Sequence, residues 1–108
     1  MSLSTHVLDT ARGEPAPGVS VILQRHDDDG WTTVAQGLTN ADGRLRDWVP
    51  DIEWFAARYR LVFDTGAYLG ADAFFPEAVV VFTVSEPARH YHVPLLLSPF
   101  GFTTYRGS

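Results

Sequence analysis

Apolar and polar positions alternate with period 2 through most of this chain, the pattern of half-buried β-strands. In Val19–Arg25, Val19, Val21 and Leu23 fall on one face and Ser20, Ile22 and Gln24 on the other. Arg58–Asp64 sets Tyr59, Leu61 and Phe63 against Arg58 and Arg60. His90–Ser98 sets Tyr91, Val93, Leu95 and Leu97 against His90, His92, Pro94, Leu96 and Ser98. That second set puts two imidazoles beside a proline and a leucine, on a surface that a lone domain would leave polar. Leu3–Ala11 reads as a first strand with His6 on the face of Ser4 and Leu8. Trp31–Thr39 and the short Arg44–Trp48, closed by Pro50, add two more. Ala78–Val84 is apolar on both faces, as expected of a strand covered on both sides or lying at a subunit interface. After the Ser98-Pro99 break, a last run reaches the C-terminus at Tyr105-Arg106-Gly107-Ser108.

Turn chemistry separates these runs. Arg12–Gly18 carries two glycines and two prolines, and Asp-Gly pairs at Asp29-Gly30 and Asp42-Gly43 supply the positive φ of tight turns. One short helix is predicted over Gly66–Asp72, capped by Thr65 and ended before Pro76; its glycines leave it dependent on tertiary packing. Seven or eight short strands with one short helix predict an antiparallel β-sandwich, a single domain over residues 1–108. The outward Leu96 and the doubly apolar Ala78–Val84 predict a homo-oligomer of closed symmetry.

Charge and composition then narrow the function. Eight basic against thirteen acidic residues leave a net charge of −5 and no basic face, which argues against nucleic-acid binding. The absence of cysteine removes thiol catalysis, disulfides and Cys-ligated zinc. No basic segment followed by an apolar run stands at the N-terminus, and no window is long and apolar enough for a bilayer, so a soluble cytoplasmic protein without membrane partners is expected.

Candidate chemistry rests on few residues. Asp27-Asp28-Asp29 is consecutive rather than alternating, so it reads as a solvated turn and not a calcium loop. His26 beside it reads as a surface residue. His90 and His92, with His6 from another strand, could form a three-His zinc site with an open position. Alternatively the imidazoles act without metal, taking a proton from water near neutral pH. Arg44, directly after a Gly turn, could stabilise an oxyanion or simply solvate a hairpin. Each residue alone is ordinary strand or turn polarity.

Together they form a pattern. The Ser4-Thr5-His6 strand, Asp42-Gly43-Arg44, Phe74-Phe75-Pro76-Glu77, the His90-Tyr91-His92-Val93-Pro94-Leu95-Leu96-Leu97-Ser98 run and the Tyr105-Arg106-Gly107-Ser108 ending resemble the 5-hydroxyisourate hydrolases of the transthyretin-like family. The resemblance covers the whole chain, and the terminal tetrapeptide is its most specific part, since the hormone-carrying transthyretins lack it. It implies a transthyretin-like (prealbumin) sandwich of about eight strands, assembled as a homotetramer, a dimer of dimers with a central channel. It implies no cofactor and no metal, catalytic positions at His6, Arg44, His92 and Ser108, and substrate-binding positions at Tyr105, Arg106 and Gly107. His90 matches no catalytic position and is expected to be structural. The implied reaction opens the ring of 5-hydroxyisourate with water in urate degradation. A ligand carrier and an interaction module on the same sandwich are the competing classes.

Overall fold

The computed structural model describes residues 2–108. Two sheets pack face to face, and each buries the apolar side that alternation predicts. The first is built on β1 (Leu3–Asp9), joined by β2 (Glu14–Pro15), β5 (Arg44–Leu45), β8 (Tyr91–His92), β9 (Leu95–Ser98) and β10 (Gly101–Thr104). The second runs in the order β4 (Gly30–Leu38), β3 (Ser20–Asp27), β6 (Ala57–Phe63), β7 (Ala78–Val84). Val7, Leu95 and Leu97 of the first sheet meet Val21, Leu23, Tyr59, Leu61 and Phe63 of the second, all essentially solvent-free. The Tyr59 hydroxyl stays inside because it accepts from the Phe55 amide and donates to the Phe55 carbonyl. The fold is the expected all-β sandwich with one short helix, with one difference in pairing. β1 runs parallel to β8 and β9 and antiparallel to β2 and β5, so the first sheet is mixed.

Several element ends differ from the sequence expectation, each for a local reason. β1 stops at Asp9 because Asp9 Oδ1 accepts the Ala11 and Arg12 amides and turns the chain. β5 extends over only Arg44–Leu45, since the backbone enters positive φ at Asp47. The helix, α1, spans Thr65–Leu69 and continues as a 3₁₀ turn over Gly70–Asp72. Its cap is Asp64, whose carboxylate accepts the Ala67 amide, and not Thr65, whose hydroxyl donates to the Phe75 carbonyl. β7 buries Ala78 and Val84 but leaves Val79 and Val81 at 41% and 54% exposure within one chain. β7 and β10 are edge strands of their respective sheets. Among the described residues no helix is long and apolar enough to cross a membrane.

The turn before β5 fixes where that strand lies. Asn40 Oδ1 accepts the Asp42 and Arg44 amides, and the Gly43 carbonyl accepts the Val7 amide of β1 at 2.7 Å. Gly43 has φ +73°, and a Cβ there would overlap the Val7 carbonyl oxygen. Only glycine allows both the left-handed backbone and this approach. Gly43→Ala is expected to lower stability by about 1–3 kcal/mol through backbone strain, read as a reduced urea midpoint with unchanged slope.

Candidate active site

β1 aligns two neighbours at one outward face. On one side, antiparallel β5 sets Arg44 opposite His6; on the other, parallel β8 sets His92 opposite Ser4. Register partners project to the same face of a sheet, so Ser4, His6, Arg44 and His92 share the surface opposite the core. Burial agrees: Leu3, Thr5 and Val7 are inside, while Ser4 and His6 are half-buried and Arg44 is exposed. His6 Nε2 is hydrogen-bonded to the Asp42 carbonyl oxygen at 2.9 Å, tying this ring to the Asp-Gly turn. As an N–H must donate to a carbonyl, the neutral His6 ring carries its proton on Nε2 and leaves Nδ1 as the basic nitrogen.

His92 Nδ1 lies 2.7 Å from Ser4 Oγ, and His90 Nε2 lies 2.9 Å from the same oxygen. Half-buried His92 is held below the ordinary imidazole value of 6.5, first by burial and then by repulsion from Arg44, His90 and His6; the Ser4 backbone acts in the opposite direction. At neutral pH the ring is therefore predominantly uncharged, the form in which an imidazole nitrogen can accept a proton. Among the described residues no three or more His, Asp or Glu side chains converge as a metal-binding group.

The C-terminal tail joins this face by extending a hairpin. β10 pairs with β9 as Gly101↔Ser98 through Thr104↔Leu95, and the bridge His92↔Gly107 keeps the same register. Pro94 has no N–H, so the ladder is interrupted opposite it and resumes where the Gly107 amide donates to the His92 carbonyl at 2.8 Å. A Cβ on Gly107 would overlap the His92 ring, which explains glycine there. Ser108 follows at once and is exposed. Period 2 sends Arg106 the other way. Its guanidinium stacks 4.7 Å over the ring of Tyr91, and with Tyr105 it lines an apolar recess of about 240 Å³ beside Val81 and Phe82 of β7. Of the expected positions, then, one chain brings His6, Arg44, His92 and Gly107 together and turns Arg106 toward the sheet edge. Ser4 was visible in sequence only as a strand neighbour of His6; its place between two histidines depends on cross-strand register.

The sequence profile of the HIUase/Transthyretin family matches residues 3–107. The chain belongs to that family. A 5-hydroxyisourate hydrolase of Salmonella typhimurium is 48% identical over 109 residues, covering 98% of this chain and 80% of its own. Among solved structures, Klebsiella pneumoniae 5-hydroxyisourate hydrolase superposes with a TM-score of 0.84 at 39% identity, over the full length of both chains. Sea bream transthyretin in complex with thyroxine superposes with a TM-score of 0.92 at 38% identity, over 99% of this chain and 95% of its own. Backbone likeness alone therefore does not separate a hydrolase from a thyroxine-binding protein in this family, and the side chains of the face carried by β1 must do so.

The electrostatics of that face are measurable by NMR titration of the imidazoles. His92 is expected to titrate below 6.5, and Arg44→Gln, by removing a repelling cation, to raise its midpoint. A folded-state value below the unfolded one stabilises the fold above pH about 6.5, and that contribution is lost as pH falls through the folded midpoint. Acid should accordingly destabilise the wild type more than Arg44→Gln across this window.

Proposed function

We propose that this chain hydrolyses 5-hydroxyisourate to 2-oxo-4-hydroxy-4-carboxy-5-ureidoimidazoline, a step of urate degradation. The observation that carries the reading is the convergence of His6, Arg44 and His92 on one outward face, in a chain 48% identical to a named hydrolase of that substrate. The bond to be broken is an acyl carbon–nitrogen bond within a ring. Water must lose a proton as it attacks, negative charge develops on the acyl oxygen, and the departing nitrogen must gain a proton.

The residues match these needs. His92, kept neutral by burial and by Arg44, has the basic form required to take a proton from water. The basic Nδ1 of His6 offers a second position for holding the water or the leaving nitrogen. Arg44 is a permanent cation that would hold the developing oxyanion, and loss of such a donor typically costs ~10²–10³ in rate. The Gly107–Ser108 segment, fixed against His92 through Gly107, would hold the polar edge of the substrate with the Ser108 hydroxyl. Tyr105 and Arg106 would contribute from the sheet edge. No metal takes part in this scheme.

A carrier role is the second reading, favoured by the superposition on a thyroxine-bound transthyretin. Three imidazoles and a guanidinium on one face are of little use to an apolar ligand, which is why hydrolysis is preferred. Enzymatic turnover decides between them. Protein added to urate undergoing uricase oxidation should accelerate the ultraviolet decay of the intermediate; a decay rate equal to that without protein would refute hydrolysis. His92→Ala and Arg44→Ala should each reduce the rate by ~10²-fold or more, and full activity in either would remove that residue from the site.

Assembly belongs to the same reading. The face on β1 is open in one chain, and the edge strands β7 and β10 leave Val79, Val81 and Phe102 uncovered. A homotetramer would close both, making the face one wall of a channel between subunits. Light scattering should give four times the 12.0 kDa chain mass. Removing residues 105–108 should abolish turnover and leave a tetramer of the shortened chain; a monomer would show that the tail serves assembly instead.

A further inference from the structure

His92 has a connection that the reaction scheme above leaves unused. Its Nδ1 faces Ser4 Oγ at 2.7 Å, and the same oxygen faces Nε2 of His90 at 2.9 Å. A hydroxyl has one proton to donate and lone pairs to accept with. It can donate to only one of the two imidazole nitrogens, so the rings cannot both present a bare nitrogen to it, and their tautomers are coupled. In one arrangement His92 Nδ1–H donates to Ser4, Ser4 donates to His90 Nε2, and His92 Nε2 is a bare base. In the other, His90 Nε2–H donates to Ser4, Ser4 donates to His92 Nδ1, and His92 Nε2 carries a proton. A proton gained at His92 Nε2, with one shift along the chain toward His90, converts His92 from base to acid.

We propose that Ser4 is a positioning residue that relays a proton between His92 and His90, so that charge created at the half-buried ring is carried by the exposed one. The inference rests on the hydrolase reading. Each step balances. Water gives its proton to His92 Nε2 as its oxygen bonds to the acyl carbon; the Nδ1 proton passes to Ser4 and the Ser4 proton to His90 Nε2. His92 is then neutral and protonated at Nε2, and His90 is the imidazolium. When the carbon–nitrogen bond breaks, His92 Nε2 gives its proton to the departing nitrogen and the chain shifts back, leaving all three groups as they began.

The surroundings favour this direction. His92 is faced by His6 from β1, Arg44 from β5 and His90 from its own strand's approach, while the tail brings Gly107 alongside. A proton resident on His92 meets Arg44 and two imidazoles in a half-buried position, whereas His90 lies exposed to solvent. Register makes the relay rigid. Parallel pairing sets Ser4 opposite His92, the Tyr91 amide donates to the Ser2 carbonyl, and the Val93 amide donates to the Ser4 carbonyl at 3.0 Å.

Turnover of Ser4→Ala, Ser4→Thr and His90→Gln tests the relay. Ser4→Ala is expected to lower kcat about tenfold, a fraction of the ~10²–10⁴ supplied by a general acid–base group, and to leave KM within about twofold. Ser4→Thr keeps a hydroxyl on a strand-compatible residue and should restore most of the rate. His90→Gln should resemble Ser4→Ala, the double variant should be no slower than the slower single, and added imidazole should speed Ser4→Ala but not the wild type. Full kcat in Ser4→Ala overturns the proposal, as does a loss that neither threonine nor imidazole restores. Should Ser4→Ala not fold, Ser4→Thr and His90→Gln carry the same test, full kcat in His90→Gln being the contrary result. Nitrogen-15 NMR reads the relay without turnover: Ser4→Ala should change the Nδ1/Nε2 proton balance of both rings, and unchanged balances overturn it. A wild type that fails to hydrolyse 5-hydroxyisourate while its tautomers respond to Ser4→Ala would refute the function and keep the linkage.

Discussion

Everything at the candidate site hangs on β1 being hydrogen-bonded along both sides. A seven-residue strand with four partners has no free edge: β8 and β9 run beside it in parallel, β5 and β2 antiparallel. Its inward residues, Leu3, Thr5 and Val7, are locked in the core, so a slip of one residue would bury His6 and expose Val7. The register that protects the core therefore also places Ser4 beside His92 and His6 beside Arg44. Gly43 and Gly107 serve the same alignment, each admitting a close approach that any side chain would block.

That alignment crowds basic groups. Three imidazoles and a guanidinium share one face of a chain whose net charge is −5, so the local charge opposes the global one. Burial first and this crowding second favour the neutral form of His92, the form the proposed base requires, and penalise the imidazolium that it would become. Arg44 repels a proton from His92, and in the proposed reaction it would also hold the oxyanion. Ser4 and His90 give the displaced charge an exposed destination.

The backbone is shared with a thyroxine-bound transthyretin at a TM-score of 0.92. On a shared backbone, function is set by the side chains that the elements present. In this chain the tail shows how alternation sets that presentation. It is a hairpin strand carried three residues past its last ladder pair, and Pro94 interrupts the ladder without ending the register. Alternation then decides that residue 107 meets His92 and residue 106 meets Tyr91.

Much of the fold was legible in the chain because alternation and turn chemistry are local. Val19, Val21 and Leu23, Tyr59, Leu61 and Phe63, and Tyr91, Val93, Leu95 and Leu97 are buried as their spacing predicts. The composite motif identified the family and named His6, Arg44 and His92 as a group. Period 2 also put His90, His92 and Ser4 on outward faces, but it could not say which strand lies beside which. The parallel pairing of β1 with β8, the single hydroxyl shared by two histidines and the turn of Arg106 toward the edge all depend on contacts between residues some 15 to 90 positions apart. Local sequence sets which way a side chain points; only the packed sheet decides what it meets, because register is chosen by the whole core at once.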